Sequence, residues 1–134
     1  MYTTRSISDD YIMAGNPTTP GDWLRHLARS PEARVRARVA ENVETPVSTL
    51  ICLLNDGHSE VRLSLAHNRL LPRMLLLQLV FDDEVDVRID LAENPHLPAN
   101  ILQLLTNDEN PYVAHVASLT LSKLANDPFS KAVA

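Results

Sequence analysis

The chain has 134 residues, a formal net charge of −5, 45% hydrophobic residues and 22% charged residues. This length suits one domain, and the composition is that of a globular protein with a real core. The acidic balance argues against a general affinity for phosphate backbones. The single cysteine, Cys52, excludes a disulfide framework and any multi-cysteine metal site built by this chain alone.

Residues 1–8 carry no periodic pattern and no apolar stretch of the kind that a signal peptide needs. We expect them to form a loose N-terminal arm. The most apolar run, Leu70 to Phe81, is interrupted by Pro72, Arg73 and Gln78 and is too short to span a bilayer. The sequence therefore predicts a cytoplasmic protein without a membrane segment.

Three similar segments follow one another at a fixed spacing. VRARVAEN, VRLSLAHN and VRIDLAEN begin at Val35, Val61 and Val87, each 26 residues after the one before. The same phase reaches Asp9 on one side and Val113 on the other. An unbroken period of this size is typical of a solenoid, in which each unit buries its apolar face against its neighbours.

Each unit is predicted to contain two short helices. The first begins at an N-cap residue, in the register of Ser30, Asp56, Asp82 and Asp108. It ends at an asparagine that tolerates the left-handed conformation of a C-terminal cap, in the register of Asn16, Asn42, Asn68 and Asn94. The second helix begins at a proline, in the register of Pro20, Pro46, Pro72 and Pro98. Thr19 and Thr45 are candidate caps, and so short a helix can be partly 3₁₀.

The last unit departs from the pattern. Asn110 and Pro111 open a helix, but Ser118 and Thr120 stand where the other units have alanine and asparagine. We expect this helix to continue to about Ala125 and to cap the domain. The predicted organisation is a helical-repeat domain over residues 9–125 with about four two-helix units, followed by a tail over residues 126–134.

The complete pattern is carried by Val87-Arg88, Leu91-Ala92-Glu93-Asn94-Pro95, Pro98, Leu102 and Leu105. It resembles the leucine-rich repeat variant, a short HEAT-like helical repeat, over roughly residues 9–125. The resemblance implies an all-α, right-handed solenoid of paired α and 3₁₀ helices. A founding-type member of that family carries a cysteine-bound iron–sulfur cluster. Because this chain has only Cys52, we expect no cofactor.

The arginine row, which consists of Arg36, Arg62 and Arg88, is the first candidate for a binding site. Identical register places these side chains along one face, about 8–10 Å apart if neighbouring units pack like helices. They could bind an acidic partner or a phosphate backbone. Alternatively, each guanidinium pairs with a carboxylate of a neighbouring unit, in the register of Asp56, Asp82 and Asp108. We favour the second interpretation.

The second candidate is an apolar stripe on the predicted 72–81 helix, formed by Met74, Leu77 and Phe81. The other units have mostly polar residues at these three positions. Spacing of i, i+3 and i+7 places the three side chains on one helix face. An exposed apolar stripe marks a surface for a partner or for self-association, unless the N-terminal arm covers it.

The sequence gives no positive case for an enzyme. The five histidines occupy five different registers and lack metal-ligand spacing, and no phosphate loop or nucleophile motif is present. Cys52 is predicted to be a small buried side chain and Trp23 to pack between units. HEAT-like modules usually bind proteins, and a subset related to alkylated-base glycosylases binds DNA on the concave face. The resemblance therefore implies a protein-interaction module, with a nucleic-acid binder using the arginine row as the alternative.

Overall fold

The computed structural model describes residues 5–129, and all regular secondary structure in this range is α-helical. The predicted all-α class is confirmed for this part of the chain. Residues 1–4 of the predicted arm and residues 130–134 of the predicted tail lie outside the described range. The chain forms two compact units, Met1–Leu76 and Leu77–Ala134.

The first unit contains five helices and the beginning of a sixth. They are α1 Ile7–Gly15, α2 Gly21–Leu27, α3 Ala33–Glu41, α4 Val47–Leu54 and α5 Ser59–Leu65. Helix α3 packs against both α1 and α5, and the shorter α2 and α4 contact the helices that precede and follow them. Leu24, Val35, Val39, Val61 and Leu65 are fully buried. Burial of these apolar side chains is the main favourable term for helices that are too short to be stable alone.

The second unit contains the remaining helices. They are α7 Val85–Glu93, α8 Ala99–Leu105 and α9 Pro111–Asn126, preceded by the end of α6 Arg73–Leu79. Helix α9 packs against both α7 and α8. Its bounds confirm the predicted long C-terminal helix. Leu79, Val87, Leu91 and Leu102 are fully buried in this unit.

The helices that follow the Ser/Asp register begin later than predicted. Helices α3, α5 and α7 start three residues after Ser30, Asp56 and Asp82, not directly after them. Each of these side chains accepts a hydrogen bond from the backbone N–H two residues further on, as Asp56 does from His58 at 2.9 Å. They fix the turn before the helix. The predicted N-caps are therefore wrong by two residues.

The prolines mark helix starts as predicted, to within one residue. Helices α2, α4, α6 and α8 each begin directly after a proline, and the carbonyl of Pro20 accepts bonds from Trp23 N and Leu24 N. In the described range these short helices are α-helical, and i→i+3 bonds of the 3₁₀ type occur in their first turns, as from Trp23 N to the carbonyl of Pro20. The threonines do not cap them. Thr19 and Thr45 instead donate to the carbonyls of Met13 and Val39, each at 2.7 Å, at the end of the preceding helix.

The asparagines do not adopt the expected left-handed conformation. Asn42, the C-cap of α3, has φ −74° and ψ 123°, and no non-glycine residue in the described range has a positive φ. Its side chain instead forms hydrogen bonds with residues that are distant in the sequence. Asn42 Nδ2 donates to the carbonyls of Ala14 and Asn16, both at 2.9 Å, while Oδ1 accepts from Glu44 N. The side-chain amide of Asn42 thus links the C-terminal end of α3 to that of α1.

The same contacts occur one period later. Asn68 Nδ2 donates to the carbonyls of Ala40 and Asn42 at 2.9 and 3.0 Å. In the second unit, Thr120 occupies the asparagine register, and its hydroxyl donates to the carbonyl of Ala92 at 2.6 Å. In the sequence pattern, Thr120 is only a departure from the asparagine register. The hydroxyl preserves one of the two bonds that an asparagine makes.

The first helix also begins earlier than expected. α1 starts at Ile7, within the segment predicted as a loose arm. Ser6 and Asp9 form a capping box, in which each side chain bonds the backbone N–H of the other residue. Ser6 Oγ also donates to Asp9 Oδ2 at 2.8 Å, and this bond, followed by the bond from the Ser6 backbone N–H, holds the pKa of Asp9 below its usual value. Residues 6–8 are therefore part of a capped helix.

We expect Asn68→Ala to lower the free energy of unfolding by about 2–3 kcal/mol, because it removes both bonds from a side chain that is only 4% exposed. Urea denaturation followed by circular dichroism measures the loss. Asn100→Ala, at an exposed position of α8, is the matched control and should change stability by less than about 0.5 kcal/mol. Equal effects of the two substitutions would contradict the structural role of Asn68.

Candidate functional site

Arg36 of the arginine row forms a two-point ion pair with Asp56. Its Nε lies 2.7 Å from Asp56 Oδ2, and its Nη2 lies 3.1 Å from Oδ1. Nη1 donates to the carbonyl of Ser30 at 2.7 Å. The guanidinium therefore joins the turn before α3 to the turn before α5. Planar, forked geometry of this kind is what arginine supplies and lysine does not.

Arg88 repeats this arrangement in the second unit. Its Nε lies 2.8 Å from Asp108 Oδ2, and its Nη1 donates to the carbonyl of Asp82 at 2.7 Å. Arg88 is only 8% exposed. In the first unit, Arg62 Nη1 donates to the carbonyl of Asp56 at 2.7 Å, in the register of the other two arginines. All three guanidinium groups are thus bound to the turns of the chain itself.

The ion pair between Arg36 and Asp56 shifts the pKa of both side chains. Burial raises the pKa of the Asp56 carboxyl, but hydrogen bonds from Arg36 and from the backbone N–H of His58 outweigh burial, so the pKa lies below its usual value. The hydrogen bond to Asp56 raises the pKa of Arg36. The pair is ionised over the whole physiological range and contributes to stability there.

The residues of the predicted apolar stripe differ in exposure. Met74 is 71% exposed and belongs to the first unit. Leu77 and Phe81 belong to the second unit, where Leu77 is half-buried and Phe81 is 73% exposed. The predicted 72–81 helix is too long at its C-terminal end, because α6 ends at Leu79 and Phe81 lies beyond it. Its backbone N–H closes a turn by donating to the carbonyl of Gln78 at 3.1 Å.

Phe81 lines a cleft of about 510 Å³ within the second unit, which we call the Phe81 cleft. The turn after α6 forms one wall, and the end of α8 and the turn before α9 form the other, with Arg88 of α7 also in the lining. Val80 and Leu105 are buried, whereas Phe81 and Leu104 expose apolar surface. The other lining residues are polar or charged: Asp82, Asp83, Arg88, Asn107, Asp108 and Glu109.

The electrostatics of the Phe81 cleft are negative. Four carboxylates face one guanidinium, and the carboxylate of Asp108 is paired with that guanidinium. Its hydrogen bond to Arg88 raises the pKa of the guanidinium, and the charges of Asp108, Glu109 and Asp82 add to this effect. Asp83 and Glu109 are exposed, and neither forms an ion pair with any residue of the range 5–129. The cleft thus combines an apolar surface with solvated negative charge.

The 26-residue register points to Phe81 but not to the residues around it. The sequence predicts helix N-caps at Asp82 and Asp108 and gives no role to Leu104. One signal was available. Leu104 occupies the register of Gln78, Cys52 and His26, so it replaces a polar residue of two of the three other units.

Two other expectations from the sequence are wrong. Cys52 is exposed, because α4 buries Leu50, Leu53 and Leu54 and turns the cysteine to solvent. Trp23 is 44% exposed, and the guanidinium of Arg5 lies 4.3 Å from the centre of its ring. This cation–π contact joins the segment before α1 to α2.

Residues 5–129 contain no group of three or more histidine, cysteine, aspartate or glutamate side chains that could hold a metal ion. Over the same range, none of the helices has the length and apolar character needed to cross a membrane.

Comparison with known proteins gives no relative. No protein-family model, no curated protein and no solved structure matches the chain.

We expect Asp56→Asn to lower the free energy of unfolding by about 2 kcal/mol at neutral pH, because the amide cannot replace a charged acceptor for Arg36. The folded pKa of Asp56 is depressed, so its contribution is complete above the unfolded value of about 3.9 and is lost as the pH falls through the folded value. Wild type and variant should therefore converge in acid when urea denaturation is repeated from about pH 7 to about pH 2.

Asp22→Asn is the control for this experiment. The Asp22 side chain is 90% exposed in its pair with Arg25, so its loss should cost less than about 0.5 kcal/mol. A constant difference between wild type and Asp56→Asn at every pH would show that the ionised carboxylate is not the source of the stability.

Proposed function

We propose that the chain is a non-enzymatic, helical-repeat protein-interaction module that binds a protein partner through an apolar surface centred on Phe81. In this proposal the 26-residue period corresponds to a right-handed α-solenoid of about four two-helix repeats with α9 as its C-terminal cap. The module would work in the cytoplasm, where an exposed Cys52 remains reduced. It needs no cofactor.

The repeat part of the proposal is supported by bonds that recur at one period. Asn42 and Asn68 each donate to carbonyls 28 and 26 residues earlier. Arg36, Arg62 and Arg88 each donate to the carbonyl six residues earlier. Equivalent bonds at equivalent positions are what a protein built from one repeated unit would have.

The exposure of Phe81 carries the binding part. Asn55 and Asn107 occupy its register one period earlier and one period later. The turn therefore forms equally well with a polar residue at this position. A phenylalanine that is 73% exposed adds little to the stability of the fold. Exposed aromatic side chains in apolar surface are typical anchors of protein interfaces. Leu77, which is half-buried in the same unit, belongs to the proposed apolar surface as well.

The arginine row is not favoured as a nucleic-acid site by any contact described above. Arg36 and Arg88 bind the carboxylates of Asp56 and Asp108, and Arg62 binds the turn before α5. A phosphate backbone would have to displace these internal partners. We therefore assign the arginine row to stability, not to the partner surface.

The test is capture of partners from native lysate, treated with nuclease, on the wild-type protein and on Phe81→Asp. We expect a stoichiometric protein that is lost on the variant, because a charged group replaces the apolar anchor. The melting temperature should shift by less than about 2 °C, since the position is exposed. Leu77→Asp is a poorer probe, because its half-buried side chain will also lower stability.

Ile12→Asp is the matched control. Ile12 is 67% exposed on α1 in the first unit, so the substitution places the same charge on an equally exposed apolar position elsewhere. Capture that is lost equally on both variants would refute a specific surface at Phe81. Capture of no protein at all by the wild-type chain would refute the interaction module itself.

A further inference from the structure

We propose that the Phe81 cleft binds a basic peptide segment of the partner, in which an apolar side chain is flanked by lysine or arginine. This inference rests on the proposed function and adds the chemistry of the partner to it. Two properties of the cleft support it independently: the apolar area that the fold leaves open and the sign of the charge around that area.

The apolar area comes from both walls of the cleft. Phe81 is 73% exposed and Leu104 is 42% exposed, and they flank the buried side chains of Val80 and Leu105. A volume of about 510 Å³ is within the usual range of ligand clefts and leaves room for an apolar side chain of a peptide. Covering such a surface releases water from both partners and supplies most of the binding energy.

The charge selects the flanking residues. Asp83 and Glu109 lie on the two walls, both exposed to solvent. Among residues 5–129 the one cation of the cleft lining is Arg88, which is 8% exposed and already neutralised by Asp108. The charged side chains of a bound peptide would therefore lie close to carboxylates of the cleft. Cationic side chains beside the anchor would be attracted, and acidic ones would be repelled.

The same charge argues against two other occupants. A nucleic acid brings phosphates toward these carboxylates, which is unfavourable. A second copy of the chain carries a net charge of −5, so self-association through this cleft brings two acidic proteins together. A basic segment of a different protein is the occupant that the charges favour.

The experiment measures fluorescence anisotropy of a labelled peptide in which a pair of leucines is placed among lysines, titrated with the full-length chain. A second peptide replaces every lysine with glutamate, and a third replaces the leucines with serine. We expect the lysine–leucine peptide to bind, with an affinity at least about tenfold higher than either variant peptide. Its affinity should fall as salt is added, because the attraction comes from exposed charges.

Substitutions in the protein test whether the peptide binds in the Phe81 cleft. We expect Phe81→Ala to weaken binding by about tenfold or more, and the double variant Asp83→Lys with Glu109→Lys to do the same and to remove the salt dependence. The controls are Ile12→Ala for the apolar change and Glu44→Lys, at an exposed position of the first unit, for the charge change. Both controls should bind the peptide like the wild-type protein.

The outcomes separate this inference from the proposed function. Equal binding of the lysine and glutamate peptides, or no binding of the lysine peptide, would overturn the basic segment. If the lysate partner is still lost on Phe81→Asp, the interaction surface stands and only its charge preference is wrong. Binding that Glu44→Lys weakens as much as the cleft variant does would show a general attraction to an acidic protein. Dimerisation that Phe81→Ala abolishes would replace the peptide with a second copy.

Discussion

The structure depends on one repeated set of hydrogen bonds. In each, a side-chain amide at the end of one helix donates to backbone carbonyls at the end of a helix 26 residues earlier. Asn42 and Asn68 each donate to two backbone carbonyls at the helix end one period earlier. Their Oδ1 atoms each accept from one backbone N–H of the turn that follows. Short helices leave a large share of their carbonyls without partners at their C-termini. A buried amide is a compact group with donors and an acceptor that can satisfy these carbonyls and set the spacing of successive helices together. Thr120 retains one such bond in the second unit.

The arginine row makes a second set of ties at the opposite ends of the same helices. Arg36 and Arg88 join turns 26 residues apart through a carboxylate and a carbonyl. This use of the cations has a consequence for the surface. The chain has 12 basic and 17 acidic residues, and the two internal pairs use one cation and one carboxylate each, so the excess of acid stays the same while two arginines are withdrawn from the surface. In the Phe81 cleft, Arg88 is paired with Asp108, so the exposed carboxylates of Asp83 and Glu109 give the cleft its negative character.

The sequence alone predicts the helices well and the polar contacts poorly. The period, the proline starts and the long last helix depend on local and apolar patterns, and the structure has them within a few residues. The roles of Asn42, Asp56 and Thr45 depend on partners that lie elsewhere in the chain or on the exact turn geometry, which composition does not reveal. Each of them was assigned a cap of its own helix, the commonest local role of its residue type. The pairing of Arg36 with Asp56 was predictable, because both residues recur with one period and have opposite charge.

The Phe81 cleft could be only half predicted for the same reason. Its aromatic side chain stands out against the asparagines of the neighbouring periods, but a helical stripe was the wrong geometry, since α6 ends before Phe81. The turn directs Phe81 to the cleft that also contains Leu104 and Asn107, which no spacing within α6 could indicate. A repeated fold makes such departures informative, because the neighbouring units show which residues the architecture itself requires. Where a unit has an exposed aromatic residue in place of an asparagine, the fold itself does not require that residue, and the proposed partner surface rests on this observation.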